Sequence, residues 1–224
     1  LGKAELTASG PAVVAFDAGR ITKPVNFYVR SNYPAFIERM ELLVYRSSDT
    51  DFVTPLATVP LTVGAVVQTE WDGALLPTYR YRVGDELIYI VRAYGRNGQF
   101  DETYPSRFQL VTPQDEQRSA TLLRDSLERS MSTSLSLQQA LRQSLLNSAF
   151  AGNGLRMQNI PFYGSRVRVQ GRNIPEGTAL QINGQSYPVD QEGKFVAEYM
   201  MPVGKHAFDV EVDGQAGKVE RRLD

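Results

Sequence analysis

The side chains that could do chemistry are few and scattered. His206 is the only histidine, and cysteine is absent. One imidazole excludes a multi-histidine metal site, and any Ser-His triad would have to be built on His206. Without cysteine there is no disulfide, no thiol nucleophile and no thiolate ligand. His206 follows Gly204-Lys205 beside an expected strand, which predicts a surface turn histidine. Asp49 and Asp51 share a polar loop, and Asp101-Glu102 follow an expected hairpin. Loop carboxylates can hold Ca²⁺. No EF-hand spacing accompanies these, so they read as solvated turn acids, with no metal and no cofactor. The many Asp and Glu leave a paired-carboxylate glycosidase open. Asn97-Gly98 and the span from Gly171 to Gly177 are turn glycines without a phosphate-cradling pattern.

Three arginines are candidate binding residues: Arg166, Arg168 and Arg172. Arg166 and Arg168 fall on one face of an expected strand, where guanidinium groups could meet an anionic glycan or a partner's carboxylates. The competing reading is the wet face of an antiparallel sheet. The 11 tyrosines admit a carbohydrate platform. Tyr28, Tyr45 and Tyr89 alternate with aliphatic residues and fit core positions better.

These groups sit in a globular chain of 224 residues, 42% hydrophobic, with net charge −1. That length holds one large or two small domains. No basic excess points to nucleic acid or to an anionic membrane. The apolar runs are too short for a transmembrane helix. Leu1 stands where Met would be, which predicts a piece excised from a longer protein.

The elements that must position the candidates are mostly strands. From Leu1 to Thr112, strands are expected at 13–16, 25–29, 38–45, 56–59, 66–71, 86–94 and 108–111. Turns fall at Asp17–Arg20, Trp71-Asp72-Gly73, Val83-Gly84-Asp85 and Arg96-Asn97-Gly98-Gln99. Short strands with turns every 8–12 residues or so argue a β-sandwich. Trp71, at a strand end, reads as a plug for the core. Residues 113–153 form the only long helical pattern, with Thr112 as N-cap and Pro113 in the first position. Ala120, Leu123, Leu127, Met131, Leu135, Leu141, Leu145 and Ala149 share one stripe. Ser130 to Ser136 is poor in helix formers, so the segment is one bent helix or a helical hairpin. Leu123, Leu127, Met131, Leu141 and Leu145 are candidate interface residues. From 154 to 224 the strand pattern returns, with Asn183-Gly184 and Asp213-Gly214 as hairpin signals. The fold expected is mainly β: two Ig-like antiparallel β-sandwich modules, 1–112 and 154–224, joined by the helical segment 113–153.

The order Val44-Tyr45-Arg46, Leu56-Ala57-Thr58, Val66 to Gly73 and Val83 to Gly98 resembles Ig-like or fibronectin-type modules of bacterial surface proteins. It is also similar to the Ig-like domain of flagellar hook-capping proteins, in which a Trp-Asp-Gly turn precedes the last hairpin. The stretches Asn159–Gly171, Phe195–Gly204 and His206–Val210 resemble repeated extracytoplasmic modules of large Gram-negative outer-membrane proteins, some of which carry an OmpA-like region. The resemblance implies a periplasmic or outer-membrane setting. The implied role is non-catalytic: a spacer, scaffold or assembly module whose partners are other envelope proteins or other domains of the same polypeptide. A glycan- or peptidoglycan-binding module is the alternative, and an accessory region of a secreted enzyme is a further one. No nucleophile motif supports an enzyme.

Overall fold

A computed structural model describes residues 3–130, 137–150, 153–212 and 215–223. The first module comprises β1 (Leu6–Ser9), β2 (Val13–Asp17), β3 (Arg20–Ile21), β4 (Val25–Ser31), β5 (Arg39–Arg46), β6 (Ala57–Leu61), β7 (Val66–Trp71), β8 (Glu86–Tyr94), β9 (Phe100–Thr103) and β10 (Ser106–Val111). Two helices follow, α1 (Pro113–Ser130) and α2 (Leu137–Phe150). The remaining strands are β11 (Leu155–Met157), β12 (Ser165–Gly171), β13 (Leu180–Ile182), β14 (Gln185–Tyr187), β15 (Phe195–Met201), β16 (Gly204–Val212) and β17 (Gln215–Leu223).

β8 organises the first module. Its alternation of Leu87, Tyr89, Val91 and Ala93 with Ile88 and Ile90 makes both faces apolar, and all six side chains are buried. β5 lies along one edge of β8 from Arg39 to Arg46. β10 and β9 share the other edge, pairing with the start and end of β8 respectively. Pro105 separates them, and proline cannot donate to a ladder. The second sheet, in the order β1-β4-β7, packs against this one. Trp71, 5% exposed, fills the core between Phe27 and Phe108. β2 joins β10 in parallel, the one parallel pairing among the described strands of an otherwise antiparallel fold. The expected hairpin at residues 95–99 forms. Only Gly98 there adopts positive φ, at 79°, so the turn is a type I turn with a bulge, not the two-residue Asn-Gly form. Asn183-Gly184 does form the two-residue kind, with φ of 51° and 75°.

The second module sets the two-stranded sheet β12-β15 against the four-stranded sheet β14-β13-β16-β17. Val167, Val169, Leu180, Ile182, Phe195, Ala197, Tyr199 and Phe208 make its core. Residues 155–162 lie with the first module instead. β11 pairs with β9, and Ile160 is buried in the first core. The change of core thus falls between Phe162 and Val167, beyond the expected boundary at 154.

The helical segment is two helices. Thr112 Oγ1 accepts the Asp115 N–H at 3.2 Å, the expected N-cap. α1 lies against β2, while α2 lies against β1 and β4. Met131 and Leu135 fall outside the described residues. The continuous stripe needs correction. Leu123 is 50% exposed and Leu145 is 41% exposed, whereas Leu146 is the buried leucine of α2. Leu127 and Leu141 are half-buried. A stripe drawn at constant phase assumes one unbroken helix. Two separate helices each set their own rotation, so the buried face of α2 is offset by one residue.

Candidate functional site: the junction between the modules

The sequence of β9 reads as polar, yet Asp101 is 0% exposed and Glu102 is 1% exposed. The expectation of solvated turn acids is therefore wrong for this pair. Both sit on a strand, and successive side chains of a strand point to opposite faces. Asp101 turns toward the core. Its Oδ2 accepts the Tyr33 hydroxyl at 2.6 Å, and its Oδ1 accepts the backbone N–H groups of Asn159 and Ile160. Glu102 turns outward. Oε1 takes Arg92 Nε at 2.7 Å, and Oε2 is bonded by Arg156. Each oxygen of the two carboxylates thus has a hydrogen-bonded donor, which offsets the cost of burying charge. The donors Arg156, Asn159 and Ile160 belong to the segment entering the second module. β9 therefore clamps that segment.

Two sets of hydrogen bonds cross the junction, and one aromatic cluster packs the end of the entering segment onto the first module. Met200 N–H donates to the Asn32 carbonyl at 2.7 Å. Gln185 Oε1 accepts the N–H groups of Ala65 and Val66, each at 3.1 Å. Phe162 packs on Tyr33 and Phe36 with ring centroids 5.0 and 5.4 Å away. Gly164 turns the chain into β12 with φ of 114°. A Cβ there would lie 2.1 Å from the Met201 carbonyl oxygen, so only glycine fits.

A cleft of about 200 Å³ opens beside these contacts, lined by Glu5, Arg30, Asn32, Tyr187 and Glu198 among others. Arg30 pairs with Glu5 at 3.1 Å and lies over the Phe150 ring at 4.5 Å. Tyr187 meets Phe150 edge-on and donates its hydroxyl to the Val196 carbonyl at 2.7 Å. Burial pushes the Tyr187 phenol up to about 12, with the Arg30 charge opposing and Glu5 and Glu198 adding to the rise.

The predicted arginines are only partly brought together. Arg166 and Arg168 both reach Glu198 from one face of β12, at 3.5 and 2.7 Å. Arg172 is exposed beyond the end of β12, apart from them. His206 lies on β16, not in a turn, half-buried, with Nε2 donating to the Pro202 carbonyl at 2.6 Å. Leu123 and Leu145 line a second groove of about 450 Å³ between the helices and the sandwich. Sequence reasoning missed Tyr33, Asp101, Glu102 and Gln185 as junction residues. A bulky Phe-Asp-Glu-Thr run after a hairpin was the available signal for β9. Among the described residues no group of three His, Cys, Asp or Glu side chains could hold a metal ion. No described helix is long and apolar enough to cross a membrane.

The sheets define the class: an Ig/fibronectin-III-like β-sandwich protein. No family model and no curated protein matches the chain. Among solved structures it is similar to the fibronectin(III)-like modules of Clostridium thermocellum CbhA, at 11% identity over 96% of this chain and 90% of that one, with a TM-score of 0.29. It is also similar to BcpA, the major pilin subunit of Bacillus cereus, at 9% identity over 98% of this chain and 67% of that one, with a TM-score of 0.24.

Proposed function

We propose that this chain is a non-catalytic spacer or assembly region of a larger extracytoplasmic envelope protein, holding two sandwich modules at a fixed angle. The observation that carries this reading is the buried Asp101–Glu102 pair. Each of its oxygens accepts from Tyr33, Arg92, Arg156 or the backbone N–H groups of Asn159 and Ile160, and both carboxylates are buried away from any substrate, so the pair anchors the segment that leads into the second module, which the Met200–Asn32 and Gln185–Ala65 bonds then hold in place. The envelope setting draws on the sequence resemblance of residues 159–212. Glycan recognition has less support. A sugar platform needs an open ring face in a groove, but of the tyrosines lining the junction cleft Tyr199 is 5% exposed and stacked on Phe208, and Tyr187 stands edge-on to Phe150.

The test is backbone ¹⁵N relaxation of the whole chain. A locked junction gives both modules one rotational correlation time. Separate tumbling of residues 165–223 would reject the rigid spacer. Release of soluble fragments from peptidoglycan by the purified chain would reject the non-catalytic assignment, and fractionation of cells making the full-length protein tests the compartment.

A further inference from the structure

The two sheets of the second module are unequal, and the mismatch lies on one side. Met200 N–H leaves the free edge of β15 to bond Asn32, and Gln185 of β14 bonds the backbone at Ala65. β15 and β14 therefore face the first module. Across the two sheets the order runs away from it, β15 then β12 in one and β14, β13, β16, β17 in the other. The small sheet ends at β12 while the large one continues to β17. Along β17 the inner side is covered at Leu223, which packs on the second core, and open at Val219. Val219, paired with the buried Phe208 and sharing its side of the sheet, is accordingly 50% exposed.

The outer edge of β12 is suited to pairing. In an antiparallel ladder, opposite residues alternate between mutually bonded pairs and pairs whose N–H and C=O point outward. Met200 N–H points away from β12, and so does the Val196 carbonyl that accepts Tyr187. Met200 stands opposite Arg166 and Val196 opposite Gln170. The outward-pointing groups of β12 are therefore those of Arg166, Arg168 and Gln170. Among the described residues no strand pairs with this edge. Edges are commonly blunted by bulges, proline or inward-pointing charge. β17 carries such a charge in Arg221, opposite His206. β12 has none of these; its charges, Arg166 and Arg168, stand on the outer face, where they disfavour a cationic strand and leave an acidic one admissible. Its register with β15 runs unbroken over all 7 residues, and its inward side chains are Val167 and Val169.

We propose that the outer edge of β12 accepts an extended strand from a partner, one that alternates apolar with acidic residues. Its apolar side chains would pack beside Val167 and Val169 and cover Val219. Its acidic side chains would stand on the outer face beside Arg166 and Arg168, two guanidinium groups that share the single carboxylate of Glu198. A second copy pairing β12 to β12 about Arg168 would instead oppose arginine to arginine, which is unfavourable. This goes beyond the spacer reading and does not depend on it, since a rigid junction needs no open edge.

The test uses the whole chain and two capped heptapeptides, one alternating Val with Glu and one alternating Val with Lys, read by amide hydrogen exchange. The Val/Glu peptide should slow exchange at Arg166, Arg168 and Gln170, and the Val/Lys peptide should bind at least ~10-fold more weakly. R168E, at a side chain 51% exposed, should reverse that preference without unfolding the module. Three results would overturn the proposal. One is unchanged exchange at those amides with millimolar Val/Glu peptide. Another is equal binding of the two peptides. The third is protection that grows with protein concentration alone, together with a dimer in sedimentation, which would make a second copy the occupant.

Discussion

Tyr33 and Asp101 are both 0% exposed, and the phenol of one donates to the carboxylate of the other at 2.6 Å. Burial, then the hydrogen bond and the charge of Asp101, raise the Tyr33 phenol far above its ordinary value. The pair joins the chain between β4 and the 3-10 turn Pro34–Phe36 to β9, and Asp101 passes the connection on to Asn159 and Ile160. One carboxylate thus holds both the core of the first module and the entry to the second.

Replacing Asp101 by Ala strands one hydroxyl and two N–H groups in the interior, and each orphan costs ~1–3 kcal/mol. D101A should lose at least ~3 kcal/mol by urea denaturation. D101N should lose less, about 1–2 kcal/mol, because the amide can still accept from the two N–H groups and donate to Tyr33. Equal losses in the two variants would mean that the charge, not the hydrogen bonding, carries the junction.

Trp71 should behave as a core residue. It is 5% exposed and lies 6.4 Å from Phe27 and 6.3 Å from Phe108 by ring centroids. W71A should cost about 3–5 kcal/mol with the denaturant slope unchanged. An unaltered unfolding midpoint would place the indole on the surface.

Tyr187 gives a pH signature of defined sign. Its folded value is about 12 and its ordinary value is 10.0, with burial the largest cause. Below pH 10 both folded and unfolded phenols are protonated, and the group adds no pH dependence. Between pH 10 and 12 the unfolded chain releases a proton that the fold retains, so the unfolded state binds fewer protons and stability falls as pH rises. Tyr33 and Tyr199 act in the same direction. Y187F should decline less steeply than the parent chain over that range. Identical slopes would show that the Tyr187 phenol meets water freely.

How much of this was readable in advance depended on whether the signal was local. β8 was legible because Leu87 to Ala93 announces itself within nine residues, and the helix start was legible because Thr112 and Pro113 are adjacent. The junction was not. Asp101 bonds a backbone N–H 59 residues away and a phenol 68 residues away. Nothing near Asp101 in sequence distinguishes it from the exposed Asp51. Arg166 and Arg168 were placed on one face by simple alternation, but their shared partner Glu198 is 30 residues from Arg168 and arrives only with β15. The same limit explains the missed β1, a four-residue strand whose burial comes from pairing with β4.

The helices supply the last prediction. Leu146 is 6% exposed, while its neighbour Leu145 is 41% exposed. One helical residue turns a side chain through about 100°, enough to move it from a packed face to an open one. L146D would put an unpaired carboxylate against β1 and β4, so it should destabilise the chain by more than ~3 kcal/mol. L145D should change stability by less than ~1 kcal/mol. The expected interface leucines separate on the same measurement. If Leu123 and Leu145 face a second chain, L123D and L145D will leave the unfolding midpoint in place and convert a dimer to a monomer in sedimentation. If L145D unfolds the chain as readily as L146D, the rotation assigned to α2 is wrong, and the continuous stripe read from the sequence is restored.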